Sequence, residues 1–289
     1  MLVAWSLVGY DVRVPAEDAL MRSSFEELAD ELAALFARGV DTPLGDVEFD
    51  TWARRVFQFQ FEAVAAYRGL CERRGVTPAT LSHWSEIPGV PTRAFKALQL
   101  VSGSFEDCEA VFQTSGTTRG AETRGTHCVR RLELYRASAL PNLRAHLLAG
   151  LDEPVTILAL LPPPRLAPHS SLSHMTAMTI DAWGSPQCAW FADPERGLDF
   201  EALGEALQRS ERQRRPVCVV GTAFAFVHWL DAVTAGSAPR VGLPEGSRLM
   251  ETGGFKGRSR EVPRAELYGG LCAAFGVSLQ HIVNEYGMT

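Results

Sequence analysis

The sequence predicts an α/β fold: a helical N-terminal segment, then a largely parallel sheet covered on both faces by helices. Two observations predict it. Over the first hundred residues, apolar side chains recur at helical spacing. From about residue 110 onward, short apolar runs alternate with amphipathic stretches, and glycine turns close several of the runs. Strands that alternate with helices build parallel sheets, because each crossover must return to the end where the previous strand began. This divides the chain into residues 1–100, a helical region packed on the main domain, and residues 101–289, an α/β core.

Taken in order, FEELADELAALFAR at 25–38 puts Phe25, Leu28, Leu32, Leu35 and Phe36 on one helical face, with Ser23 or Ser24 as N-cap. A second helix is expected over 52–75, ended by Gly75, and a segment punctuated by Pro78, Pro88 and Pro91 follows as extended surface chain. VTILALLPPP at 155–164 reads as a buried strand ended by prolines, 176–183 as a helix and 187–193 as a strand. FEALGEALQRSERQ at 200–213 is amphipathic, and 216–233 reads as strand, glycine turn at Gly221, then helix. A strand over 248–254, a helix over 261–276 stopped by Gly276, and a last strand from Val277 complete the pattern. Ligands of such sheets bind outside the carboxyl ends of the strands. The turns at Gly221, Gly253–Gly254 and Gly287 all fall at such ends, which points to one shared site.

The composition, 46% hydrophobic and 21% charged over 289 residues, suits a soluble globular protein. A net charge of −6 does not suggest nucleic acid or an anionic membrane as partner. No apolar run reaches the ~20 residues a membrane span needs. The opening MLVAWSLVGY lacks the basic start of a signal peptide, so a cytoplasmic protein is expected. The six cysteines are scattered without a Cys-x-x-Cys pair, so neither a structural zinc nor a disulfide framework is expected. Cys218 and Cys272 read as small buried hydrophobes.

The chemistry concentrates in TSGTTRG at 114–120, after the apolar Ala110, Val111 and Phe112. Glycine allows close backbone approach, and the hydroxyls add donors, so the loop can wrap phosphate oxygens. The same composition also suits a plain solvent loop. It is not a Walker A loop, because no Gly-Lys-Ser/Thr follows at the required spacing. Far downstream, VSLQHIVNEYGMT at 277–289 reads as a strand running into a polar turn.

A TSGTT loop paired with a strand ending in EYGMT resembles the adenylate-forming superfamily of acyl-CoA ligases, luciferases and peptide-synthetase adenylation domains. Within it, WSEIPGVPTRAFKALQL at 84–100, SSLSHM at 170–175 and ETGGFKGR at 251–258 resemble the acyl-protein synthetases of the bacterial bioluminescence fatty-acid reductase system. The likeness runs from about Trp84 to the end. It implies ATP-dependent activation of a carboxylic, fatty, acid as an acyl-adenylate with Mg2+, then transfer to a protein cysteine thiol on a reductase-type partner. By the same resemblance Thr114, Ser115, Gly116, Thr117, Thr118 and Gly120 form the phosphate loop. Arg119, with Arg124 nearby, stands where the family carries Pro-Lys-Gly. Gly253, Gly254 and Phe255 lie along the adenine, Tyr286 stacks on it ahead of Gly287, and Thr289 meets the α-phosphate. Glu285 contacts the nucleotide or the loop. His169 or His174 gates the carboxylate pocket. The helix from Phe224, after the turn at Gly221, lines the acyl pocket, ordinary core packing being the other reading of that helix. Thr289, Glu285 and His169 are the catalytic candidates, and no residue is assigned to a metal.

The sequence stops at Thr289, inside the family's motif. The glutamate that helps hold magnesium, the ribose-binding aspartate, the lid and the acceptor cysteine of the family have no counterpart here. The expectation is an N-terminal portion that is weakly active or inactive alone. Two alternatives stand beside it: an acid–CoA ligase of the phenylacetate type, and a non-catalytic subunit that binds nucleotide or acyl-adenylate.

Overall fold

The computed structural model describes residues 16–91, 94–114, 124–253 and 259–286. Helices α1 (Ala16–Phe36), α2 (Asp46–Ala63) and α3 (Ala65–Arg73) come first, then a short α4 (Ala94–Ala97). Helix α1 begins well before the expected Ser23 or Ser24 cap. The helix expected over 52–75 starts earlier, at Asp46, and breaks at Val64, whose φ and ψ of −115° and 94° are extended. The break lets the two pieces fold over one small core of Phe57, Tyr67, Cys71 and Leu81. There the Phe57 and Tyr67 rings meet edge to face at 6.0 Å, and the Tyr67 hydroxyl donates to the Pro88 carbonyl at 3.0 Å. That bond pins the proline-punctuated segment to the helices.

Strands β1 (Ala110–Gln113) and β2 (Thr126–Val129) form an antiparallel hairpin separate from the main sheet. Helix α5 (Leu132–His146) follows it, with Pro141 inside. Neither β2 nor α5 is expected from the sequence. The hairpin brings Cys108 and Cys128 together as a disulfide, with Cα atoms 5.8 Å apart. No disulfide framework is expected from the sequence, and this bond departs from that: a separation of 20 residues carries no local signal, and the fold sets Cys108, just before β1, against Cys128 of β2. The remaining four cysteines are free; Cys218 is buried as expected, whereas Cys272 is only half-buried.

The rest alternates as predicted: β3 (Thr156–Leu160), α6 (Ser171–Trp183), β4 (Ala189–Trp190), a small β5 (Ala192–Asp193) and β6 (Gly197–Leu198) hairpin, then α7 (Phe200–Gln213). β7 (Val217–Thr222), α8 (Ala223–Thr234), β8 (Arg248–Thr252), α9 (Arg264–Phe275) and β9 (Ile282–Glu285) complete the described chain. The main sheet is five-stranded, in the order β4-β3-β7-β8-β9, and every neighbouring pair is parallel. Several boundaries differ from expectation. Helix α6 begins at Ser171 rather than 176, and α9 at Arg264 rather than 261. The run 187–193 splits between the sheet edge and the small hairpin, and Leu279–His281 form a 3-10 turn before β9.

Alternation along the strands gives two cores. Leu158 and Leu160 of β3, Val217 and Val219 of β7 and Leu249 of β8 pack under α7, α8 and α9, around the fully buried Trp229, Phe226 and Phe275. Ile157 and Ala159, Cys218 and Val220, and Met250 pack on the opposite face under α5 and α6. Helix α1 lies on α5, tied there by Arg130 over the Phe25 ring at 3.7 Å and by Arg131 to Asp30 at 2.6 Å. Asp199 accepts from Ala202 N at the start of α7, and Gly276, at φ 68°, stops α9 as expected. No described helix is long and apolar enough to cross a membrane.

Candidate functional site

The carboxyl ends of the parallel strands open into a cleft of about 1770 Å3. Leu160 at the end of β3 with Leu161 and Pro162 after it, Thr222 at the end of β7, Thr252 ending β8 with Gly253 after it, and Glu285 ending β9 with Tyr286 after it all line the cleft. Helices α6 and α8 begin here. Ser170 caps α6 by accepting from Ser173 N at 3.2 Å, and Thr222 caps α8 by accepting from Ala225 N at 3.3 Å. Two helix N-termini thus meet one cleft, a setting that favours negative charge.

The β1–β2 hairpin closes the cleft from one side. Thr114 N–H donates to the Gly125 carbonyl at 2.8 Å, and Gly125 N–H donates back to Thr114 Oγ1 at 2.8 Å. This reciprocal pair ties Thr114 to Gly125 at the end of the hairpin. A Cβ at Gly125 would meet the Phe95 carbonyl and the Thr114 side chain at 3.3 Å, so the junction leaves little space for one.

His169 joins the hairpin to the start of α6. Its Nδ1 lies 2.8 Å from the Val111 carbonyl, and its own carbonyl accepts from Gln113 N–H at 3.0 Å. A carbonyl can only accept, so Nδ1 carries the proton and Nε2 is left as the acceptor of the neutral ring. The imidazole is exposed in the cleft.

Beneath His169, Phe112 packs 5.9 Å from the Tyr135 ring and 5.4 Å from His174. Burial, with the Glu285 carboxylate as the smaller cause, pushes the Tyr135 phenol up to about 12. Tyr135 lines the cleft and is therefore a neutral donor at neutral pH. Burial pushes the His174 imidazole down, opposed by Asp181.

The cleft brings together Thr114, His169, Phe224, Gly253, Glu285 and Tyr286, which are spread over more than 170 positions of sequence. Tyr286 is 81% exposed, an unburied aromatic ring at the mouth of a strand-end cleft. Among the described residues nothing stands within 4 Å of where a Cβ at Gly253 would lie. Two predicted residues do not line the cleft. Gly221 is buried in β7, where an added Cβ would meet Leu160 Cβ at 3.0 Å and the Phe226 ring at 3.2 Å, so the glycine serves packing. His174 is a ring in the layer below, held among Phe112 and Tyr135. Ser115, Gly116, Thr117, Thr118, Gly120, Gly254, Phe255, Gly287 and Thr289 lie outside the described residues.

Other lining residues escape sequence reasoning: Tyr135, Asn142 and His146 of α5, Asp193 and Arg196 of the small hairpin, and His228 of α8. Of these only His228 carries a readable signal, one helical turn after Phe224 in FAFVHWL. Among the described residues no group of three or more His, Cys, Asp or Glu can hold a metal. Glu285 places a carboxylate in the cleft at the end of β9.

Among solved structures the chain is similar to a 2-hydroxyisobutyryl-CoA ligase determined with 2-HIB-AMP and CoA in the thioesterification state, at 16% identity and a TM-score of 0.44. The likeness covers 86% of this chain and 50% of that one, so the chain spans about half the length of the structure it matches. No protein-family model and no curated protein sequence matches the chain.

Proposed function

We propose that this chain binds ATP and a carboxylic acid in the strand-end cleft and activates the acid as an acyl-adenylate. The observation that carries the reading is the convergence of Thr114, His169, Gly253, Glu285 and Tyr286 on one cleft. Gly253 and Tyr286 take the base: the ring stacks on it, and the glycine leaves the backbone open to close approach. The loop from Thr114 and the N-termini of α6 and α8 take the phosphates, where hydrogen-bond donors aimed at developing charge lower the barrier. Magnesium carried on the nucleotide would neutralise phosphate charge there, and Glu285 contacts the nucleotide or the loop. His169 keeps one ring nitrogen on Val111 and offers the other to the acid. Its imidazolium form donates to a carboxylate, and its neutral form accepts.

In this reading the acid is a fatty acid, and the acyl group passes from the adenylate to a cysteine thiol of a reductase-type partner protein. The test is acid-dependent exchange of pyrophosphate into ATP by the purified chain with magnesium, across short, long and aromatic acids. Exchange above the acid-free rate, greatest with long-chain acids, is expected. Transfer of the activated acyl group to coenzyme A rather than to protein thiol would favour the CoA-ligase alternative. No exchange with any acid, together with no binding of an acyl-adenylate mimic, would overturn the reading.

A further inference from the structure

Glu251 is a buried carboxylate that the proposed chemistry does not use. It is 4% exposed on β8, and no Lys or Arg among the described residues pairs with it. Burying a carboxylate without a cation is costly unless donors replace its water. Two do. The Tyr268 hydroxyl of α9 donates to Glu251 Oε1 at 2.9 Å, and Asn284 Nδ2 of β9 donates to the same oxygen at 2.6 Å. A weaker contact of 3.4 Å runs from Asn284 Nδ2 to the Glu251 carbonyl.

The position of this cluster gives it meaning. Glu251 and Asn284 are register partners across the β8–β9 ladder, and the next pair is Thr252 with Glu285. Gly253 and Tyr286 follow directly on those strands, and both line the cleft. Strand β9 is the last strand of the sheet, so among the described residues it has a ladder on one side only. Side-chain hydrogen bonds across the ladder add to the backbone bonds that hold the end of β9, directly before Tyr286. The Glu251 cluster supplies a side-chain tie across the ladder at that point, and anchors it to α9 through Tyr268. Because a carboxylate only accepts, it also orients the Asn284 amide, drawing Nδ2 inward and leaving Oδ1 turned away from Glu251.

We propose that Glu251 is the positioning residue of the nucleobase platform: it fixes the ends of β8 and β9 so that Gly253 and Tyr286 hold their spacing on the cleft. The proposal rests on the reading that the cleft binds ATP through these two residues. It assigns Glu251 to base recognition and not to the phosphates, which meet the hairpin and the helix N-termini.

Calorimetric titrations with ATP and with inorganic tripolyphosphate, on wild type and variants, test it, with thermal midpoints measured alongside. Glu251→Ala is expected to weaken ATP binding by about tenfold or more, the scale of a lost hydrogen bond to a charged group. Tripolyphosphate binding is expected to stay within about twofold, since its contacts lie elsewhere. Glu251→Gln keeps an Oε1 acceptor in place and is expected to recover most of the ATP affinity. If Glu251→Ala does not fold, Tyr268→Phe removes one donor from the tie while keeping the ring, and should weaken ATP selectively by a smaller factor. Unchanged ATP binding in both Glu251→Ala and Tyr268→Phe would overturn the proposal. So would an equal loss of ATP and tripolyphosphate, which is the mark of a merely structural role. A wild-type chain that binds tripolyphosphate but shows no preference for ATP would overturn the nucleotide reading itself, and the platform with it.

Discussion

Replacing Phe112 by alanine tests how the hairpin is held over the cleft. The β1–β2 hairpin is a two-stranded sheet of four-residue strands, marginal on its own in water. Its attachments to the strand-end wall include the Phe112 ring, 1% exposed between Tyr135 and His174, and two hydrogen bonds with His169. Truncating a fully buried phenylalanine costs about 3–5 kcal/mol, while each remaining hydrogen bond contributes about 0.5–1.5 kcal/mol net. The ring therefore outweighs either His169 bond. Native-state hydrogen exchange is the assay. Loss of about 3 kcal/mol corresponds to a rise of roughly 100-fold in the opening equilibrium of the β1 and β2 amides. Amides of β7, central in the five-stranded sheet, should change much less if the hairpin opens separately. ATP affinity should fall in parallel, because Thr114 leaves the cleft when the hairpin opens. Unchanged protection of β1 and β2 in Phe112→Ala would refute this account of what holds the loop.

Tyr286→Ala should leave the thermal midpoint unchanged, because the ring is 81% exposed, yet weaken ATP by the ~1–3 kcal/mol of a lost base–aromatic stack, read by titration. Burial lowers the pKa of both His174 and His127 below the ordinary histidine value. Their neutral forms are favoured on folding, so their contribution is complete above pH ~6.5 and is lost as pH falls from there through the lower folded values. Urea midpoints should drop between pH 7.5 and 5.5, and His174→Phe should flatten part of that slope. Gly221→Ala should destabilise the chain by about 1–3 kcal/mol, since the new methyl meets Leu160 and Phe226, and denaturant titration reads it directly.

Legibility followed the range of the forces involved. Helix α7 is readable because its apolar period is local. Strands β3 and β7 are readable because a strand buried on both faces becomes a continuous apolar run. Helix α5 is not, because Pro141 inside it removes a backbone donor and reads as a break; tertiary packing on α1 and α6 overrides that signal. Strand β2 is THCV, too short and mixed to announce itself, and its partners in β1 lie 13 to 19 positions away in sequence. The same division runs through the site. Thr114, Gly253, Glu285 and Tyr286 sit in motifs at strand ends and were legible there. Tyr135, Asp193 and Arg196 belong to no motif, and only the fold carries them to the cleft. Glu251 opens the ETGGFKGR stretch, but its tie to Tyr268 and Asn284 is visible only in the fold.

The central claim is that one cleft holds both the nucleotide and the acid. The most direct measurement is a calorimetric titration of the chain with a non-hydrolysable acyl-sulfamoyladenosine, alongside AMP and the free acid. If the two halves share the cleft, joining them makes the second contact intramolecular, and the joined compound should bind about 100-fold or more tighter than either half. A joined compound that binds no better than AMP would contradict the claim.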